Sequence, residues 1–239
     1  MNAKIVAVSR PTINQVHPFE GPMKIDEFVA YVARVSNPSN QNNTLTAGKL
    51  LKYLVKHKHW SPFEMVHVCM EINTTRDIAR QILRHRSFSF QEFSQRYADP
   101  TGDLGFSHRE ARMQDPKNRQ NSVEVNDATD YQGSNGPVFG SAIKHAWNIE
   151  QDNVKRAAEQ AYKWAIDNGI AKEQARAVLP EGLINSRMYM AGSLRSWIHY
   201  CQLRASNGTQ KEHQEIAYDC WYQLMQEFPF LDEIGLSSE

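Results

Sequence analysis

Apolar positions recur along the chain with two different periods, and the changes between them predict the order of elements. A β-branched run at 5–8, ended by Ser9-Arg10-Pro11, predicts a first strand. Segment 26–35 opens with Asp26 and Glu27, carries its apolar residues on one helical stripe and stops near Asn37-Pro38, which predicts a helix. Leu50, Leu51, Leu54 and Val55 give 47–56 the same period and a second helix. At 66–72 the period falls to two: Val66, Val68, Met70 and Ile72 alternate with His67, Cys69 and Glu71, the pattern of a half-buried strand. Thr74-Thr75-Arg76-Asp77 then offers N-cap candidates and a first-turn acid, predicting a helix through Ile78, Ala79, Ile82 and Leu83 to about Arg86.

Segment 99–140 is rich in Gly, Asn, Asp, Ser and Pro and has no lasting period, so an irregular surface excursion is expected there, beside an active site or at a subunit contact. Trp147, Val154, Ala157, Ala158, Ala161, Trp164 and Ala165 predict a long helix over 142–168, closed by Asn168-Gly169. Further helices fit 172–178, 193–204 and 211–228. The expectation is one α/β (α+β) domain over 1–239, with a central mixed sheet flanked by helices and a helix-rich C-terminal half.

Composition narrows the class. Of 239 residues, 41% are apolar, enough for a packed core. Lys and Arg (27) balance Asp and Glu (27), which argues against a domain whose main task is gripping a nucleic-acid backbone. Three cysteines without a C-x-x-C pair suggest neither a disulfide framework nor a zinc ribbon, and fit a reducing compartment. The N-terminal apolar run is too short for a secretory segment and nothing approaches the ~18 apolar residues of a membrane span, so a soluble, cytoplasmic protein is expected.

The densest chemistry lies at 84–97. Three arginines (Arg84, Arg86, Arg96), His85 and Glu92 stand among Phe88, Phe90, Phe93 and Tyr97. Guanidinium groups grip phosphate bidentately and aromatic faces stack on heterocycles, as a nucleotide pocket requires. The same composition also fits a helix end whose dipole attracts cations, or a stacking platform for single-stranded nucleic acid. Arg176, Arg195 and Arg204 follow downstream, with His199 four residues after Arg195 on one helical face. Each alone reads as a solvated surface cation; their recurrence beside Ser, Gln and aromatics favours anionic ligands. His57-Lys58-His59 lacks a third ligand at suitable spacing and reads as a surface pair. There is neither a G-x-G-x-x-G nor a P-loop, since Gly48-Lys49 is followed by Leu50.

Arg84-His85-Arg86, seven residues, then Ser94-Gln95-Arg96-Tyr97 resembles the signature of the flavin-dependent thymidylate synthases. The resemblance extends to His59-Trp60-Ser61-Pro62-Phe63-Glu64, to Ala175-Arg176-Ala177-Val178-Leu179-Pro180, and to Leu194-Arg195-Ser196-Trp197-Ile198-His199-Tyr200-Cys201-Gln202-Leu203-Arg204 with Gln210, in the family's order. It implies a homotetramer with shared active sites that converts dUMP to dTMP, with methylenetetrahydrofolate as carbon donor, NADPH as reductant and FAD as hydride carrier. By position it places Ser61, Arg84, His85, Arg86, Glu92, Ser193, Leu194, Arg195 and His199 at FAD. Around dUMP it places Gln81, Ile82, Leu83 and Arg84, then Glu92, Phe93, Ser94, Gln95 and Arg96, and finally Arg176 and Arg204. Gln81, Arg84 and His85, spaced i, i+3, i+4, are expected on one helix face. Gln91 stands where family members often have Asn. None of Cys69, Cys201 or Cys220 follows a proline, as the nucleophile of a folate-only synthase would, so electrostatic activation of uracil by Arg204 is the implied route.

Overall fold

The alternating segment of the sequence becomes an inner strand of an antiparallel sheet. In the computed structural model, which describes residues 1–13 and 22–236, the chain runs β1 (Asn2–Val8), α1 (Ile25–Ala33), α2 (Ala47–Lys56), β2 (His67–Thr75), α3 (Arg76–Ile82) and β3 (Ser89–Glu92). Then come α4 (Pro100–Asp103), β4 (Arg112–Gln114), β5 (Ser122–Glu124), β6 (Asp130–Gly133) and β7 (Gly136–Phe139). The C-terminal half consists of α5 (Gly140–Asp167), α6 (Lys172–Ala175), β8 (Asn185–Ser193), α7 (Leu194–Arg204) and α8 (Lys211–Glu227).

The main sheet has the order β1-β2-β8-β3, with every pair antiparallel. The α/β class stands, but the expected mixed sheet is corrected. Helices between strands do not fix strand direction, and β8 inserts between β2 and β3 running against both. The register sets Met70 opposite Met190 and Ile72 opposite Met188. The pleat sends Val68, Met70, Ile72, Met188 and Met190 to one buried face, each contributing about 1.5–3 kcal/mol. Helices α7 and α8 cover that face with Trp197, Ile198, Ile216, Ala217 and Trp221, and Trp197 Nε1 donates to Val68 O at 3.0 Å. The other face is polar: Tyr189 Oη donates to Glu71 at 2.9 Å and Arg187 Nε to Asn73 at 2.8 Å.

Three further expectations need correction. Helix α3 stops at Ile82, not near Arg86, because Arg84 N–H and His85 N–H turn back to the carbonyls of Gln81 and Ile82. A longer helix would carry Ser89 away from its partner Ala191 on β8. Gln81, Arg84 and His85 therefore do not share a helix face; the last two lie in the turn. Segment 99–140 is not irregular throughout: it contains α4 and the hairpins β4-β5 and β6-β7, whose short polar strands give no apolar alternation to read. In α5, Tyr162 and Ala165 pack on Ala175, Leu179 and Ile184. Trp147, Val154 and Trp164 of the same helix are exposed.

Gly192 fixes the turn from the other side. A Cβ there would meet the Phe88 ring at 2.5 Å. That ring is held edge-on by Trp197, centroids 4.9 Å apart, and by Tyr200 at 6.0 Å, so moving it would break both contacts. Gly192→Ala is expected to cost about 1–3 kcal/mol in urea unfolding; an unchanged midpoint would contradict this packing.

Candidate functional site

Helix α7 organises the candidate residues at both of its ends, which its rise separates by roughly 14 Å between Arg195 and Arg204. At the N-terminal end Ser193 caps the helix by accepting Ser196 N–H at 3.3 Å, and Leu194 is wholly buried in the core. Arg195 Nη1 pairs with Glu64 Oε1 at 2.7 Å. Burial pushes the Glu64 carboxyl up, but hydrogen bonds from Ser193 and Arg195 and the Arg195 charge leave it below its ordinary value. His199 stands edge-on to Trp60 at 4.4 Å, its pKa lowered by burial and then by Arg195. Exposed Ser61 opens the turn that leads to Glu64.

At the C-terminal end Arg204 Nε donates to His85 Nε2 at 2.8 Å. Burial, followed by the Arg204 charge, pushes His85 down to about 4. The ring is therefore neutral near pH 7, and since Nε2 accepts, its proton sits on Nδ1. Tyr200 lies edge-on to it at 4.8 Å. Gln81 approaches from α3 and contacts His213 Nδ1 at 3.2 Å. Ile82 is buried and Leu83 exposed. The side chains of Arg84 and Arg86 are exposed and have no ion-pair or hydrogen-bond partner among the described residues.

The remaining candidates form a third group. Glu92 Oε1 accepts from Arg76 Nη1 at 3.2 Å and from Ser186 Oγ at 2.7 Å. Phe93 N–H donates to Arg187 O at 2.8 Å, Ser94 Oγ accepts the Arg96 N–H at 3.4 Å, and Gln95 is buried. Arg96 and Arg176 converge on Glu173: Arg96 Nη2 pairs with its carboxylate at 3.2 Å, and Arg176 Nε donates to its carbonyl at 3.3 Å. The structure thus assembles the candidates locally in three groups. A cavity of about 580 Å³ beside α5 and α8 is lined by none of them.

Two alternatives weaken on this geometry. The stacking platform for single strands is disfavoured, because Phe88 packs against Trp197, Tyr200 and Gly192 and Phe90 packs against the core, leaving Tyr97 exposed and Phe93 half-buried. Cys201 is wholly buried and its thiol is pushed well up by burial, which makes it inert as a nucleophile. Cys201→Ser should keep kcat within about twofold in a steady-state assay of folded protein.

For a dinucleotide cofactor the donor set fits. Arg84 and Arg86 offer two uncommitted cations for a pyrophosphate, and neutral His85 between them offers an Nδ1 donor. Residues that sequence reasoning did not assign are Glu64, Arg76, Glu173, Tyr200, Gln210 and His213. Glu64, Tyr200 and Gln210 stand inside the blocks that carry the resemblance, and His213 lies three residues after Gln210 at the start of a helix; Arg76 and Glu173 carry no signal.

Comparison with known proteins gives the family. A family model described as "Thymidylate synthase complementing protein" matches residues 22–230. The "Probable flavin-dependent thymidylate synthase" of Paramecium bursaria Chlorella virus 1 is 44% identical over 229 residues, 96% of each chain. The "Flavin-dependent thymidylate synthase" of Synechocystis sp. is 43% identical over 230 residues, again 96% of each. Among solved structures, the UMP/dUMP methylase PolB from Streptomyces cacaoi with 5-Br UMP bound shares the fold, with a TM-score of 0.72 at 23% identity over 99% of this chain and 96% of that one. Sequence blocks, fold and comparison converge: the chain belongs to the thymidylate synthase complementing protein family, the family of the flavin-dependent thymidylate synthases.

Proposed function

We propose that this chain, as one domain of a cytoplasmic homotetramer with shared sites, methylates dUMP to dTMP with methylenetetrahydrofolate as carbon donor, NADPH as reductant and bound FAD. The observation that carries the reading is the Arg204–His85 pair at 2.8 Å beside the uncommitted Arg84 and Arg86. A hydride-transfer reaction on a nucleotide needs cations for two anionic ligands and a water-poor place for the base. The open, three-part arrangement within one chain favours a site completed by a neighbouring subunit.

FAD, when bound, supplies the hydride-transfer chemistry. Arg84, Arg86 and Arg195 would hold its phosphates, with Ser61, His85, Glu92, Ser193, His199 and the main chain at Leu194 positioning the rest. Around dUMP, Ser94, Arg96 and Arg176 would take the phosphate; Gln81, Arg84, Glu92, Phe93, Gln95 and the turn at Ile82 and Leu83 would frame the nucleoside. Arg204 would lie against uracil, favouring the ring ionised at its imide nitrogen and so enriching the carbon that accepts the methylene. His85, neutral and hydrogen-bonded to Arg204, keeps that guanidinium oriented without adding a competing charge.

The test is the visible spectrum of purified protein with FAD added, followed by the product assay. A retained flavin band that bleaches with NADPH under anaerobic conditions, and dTMP formed from dUMP and methylenetetrahydrofolate, are expected. A protein that neither keeps nor takes up flavin would overturn the reading.

A further inference from the structure

A chain of polar groups runs from the core to the rim of the candidate nucleotide region, and it has one direction. Tyr200 Oη lies 3.1 Å from His213 Nε2, and His213 Nδ1 lies 3.2 Å from Gln81 Oε1. Gln81 Nε2 donates to Gln210 Oε1 at 2.8 Å, and Gln210 Nε2 donates to Glu212 Oε2 at 2.9 Å. A neutral imidazole can carry its proton on either nitrogen and an amide can face either way, so the two ends decide the order.

At the outer end Glu212, ion-paired with Arg109 Nη1 at 3.2 Å, only accepts. Gln210 therefore turns its NH2 to Glu212 and its oxygen to Gln81. Gln81 in turn gives an N–H to Gln210 and its oxygen to His213, which must then hold its proton on Nδ1. Nε2 is left as an acceptor, and Tyr200 donates to it. The inner end demands the same order independently. Tyr200 is buried, and with the reverse order its hydroxyl proton would have no acceptor among the described residues. Burial, followed by the Arg204 charge, pushes His213 down to about 3, so the ring gains no second proton near neutral pH.

We propose that His213 is a positioning residue of the nucleotide site: held by Tyr200 within and polarised from Glu212 through Gln210, it locks the Gln81 amide with its oxygen toward the core and one N–H left for an acceptor atom of the substrate. The proposal rests on the reading of Gln81 as part of the dUMP site. Its ring centroid is 6.4 Å from that of His85, so the relay underlies the Arg204–His85 pair. The substrate atom it selects is a phosphate or carbonyl oxygen, and a donor presented at that point is refused.

His213→Ala opens the core and is a poor test; near-isosteric changes at the two ends are better. Each of Tyr200→Phe and Glu212→Gln removes one of two redundant constraints and should raise the dUMP KM about twofold, whereas the double variant should raise it about tenfold, more than the product of the singles, with kcat moving less than KM. Neutron diffraction from deuterated, FAD-loaded crystals should place a deuteron on His213 Nδ1 and none on Nε2. A deuteron on Nε2, or a double variant equal to the product of its singles, overturns the proposal while leaving dUMP binding intact. Failure of the unaltered holoenzyme to bind dUMP in calorimetry would overturn the nucleotide reading, and this proposal with it.

Discussion

Replacing Arg204 by Ala is expected to lower kcat for dTMP formation by about 10²–10³-fold, the usual cost of removing one preorganised electrostatic donor from a reacting centre. The fold should survive, because Arg204 is the half-buried last residue of α7 and belongs to neither apolar cluster. Circular dichroism and FAD content should therefore match the unaltered protein while turnover collapses. Arg204→Lys keeps a charge but loses the planar fork that donates Nε to His85 while presenting its other nitrogens elsewhere, so it should recover only part of the activity. A second readout is internal to the protein. The Arg204 charge is the lesser of two causes that depress His85, so Arg204→Ala should raise the His85 pKa from about 4 without returning it to 6.5, since burial remains. An Arg204→Ala enzyme with full turnover would remove Arg204 from the chemistry.

What could be read in the sequence follows from where local pattern and tertiary demand agree. Helix α2 is found at Ala47–Lys56, as its apolar spacing predicts, and α5 and α8 fall within two residues of the expected bounds, because in each a strong period coincides with clear stop signals. Strand β8 was not anticipated, although Ser186, Met188, Met190 and Gly192 are buried in strict alternation with Arg187 and Tyr189. Methionine, glycine and serine carry little strand preference, so the two-residue period lacked the β-branched residues that usually mark it. The end of α3 was missed for another reason: its stop is imposed from outside, by the pairing of Ser89 with Ala191 and by the Phe88 ring packed against Gly192.

The candidate site divides in the same way. Its residue types and order along the chain were legible, because the arginine blocks are local in sequence. Which arginines are committed was not. Arg96 and Arg195 are occupied by Glu173 and Glu64, while Arg84 and Arg86 are not. That distinction depends on partners up to 131 residues away. His213 is the extreme case, a core histidine 132 residues from the glutamine it touches.

Those buried histidines make acid the condition to which the fold should be most sensitive. His213 is held at about 3 and His85 at about 4 in the folded protein, against 6.5 for the unfolded chain. The unfolded state therefore binds protons first, and stability falls as pH drops below 6.5, continuing until the folded-state values are reached. His199, also lowered, adds in the same direction. The shifted carboxylates act in a different window. Glu64, Glu71 and Glu110 lie below their ordinary 4.5, so the stability they contribute is intact above that value and lost only as pH falls through their folded pKa values. The interval from pH 6.5 to 4.5 thus isolates the histidines. For the wholly buried His213 alone the expected loss across it is about 2–3 kcal/mol, at ~1.4 kcal/mol per pH unit. Half-buried His85 should add less, because solvent screens it. Urea unfolding at pH 6.5, 5.5 and 4.5 measures the slope, and His213→Gln should flatten it whatever the variant does to stability at pH 7. If stability holds constant across that interval, the histidines are protonated in the folded state, and the neutral ring assigned to His85 beside Arg204 cannot stand.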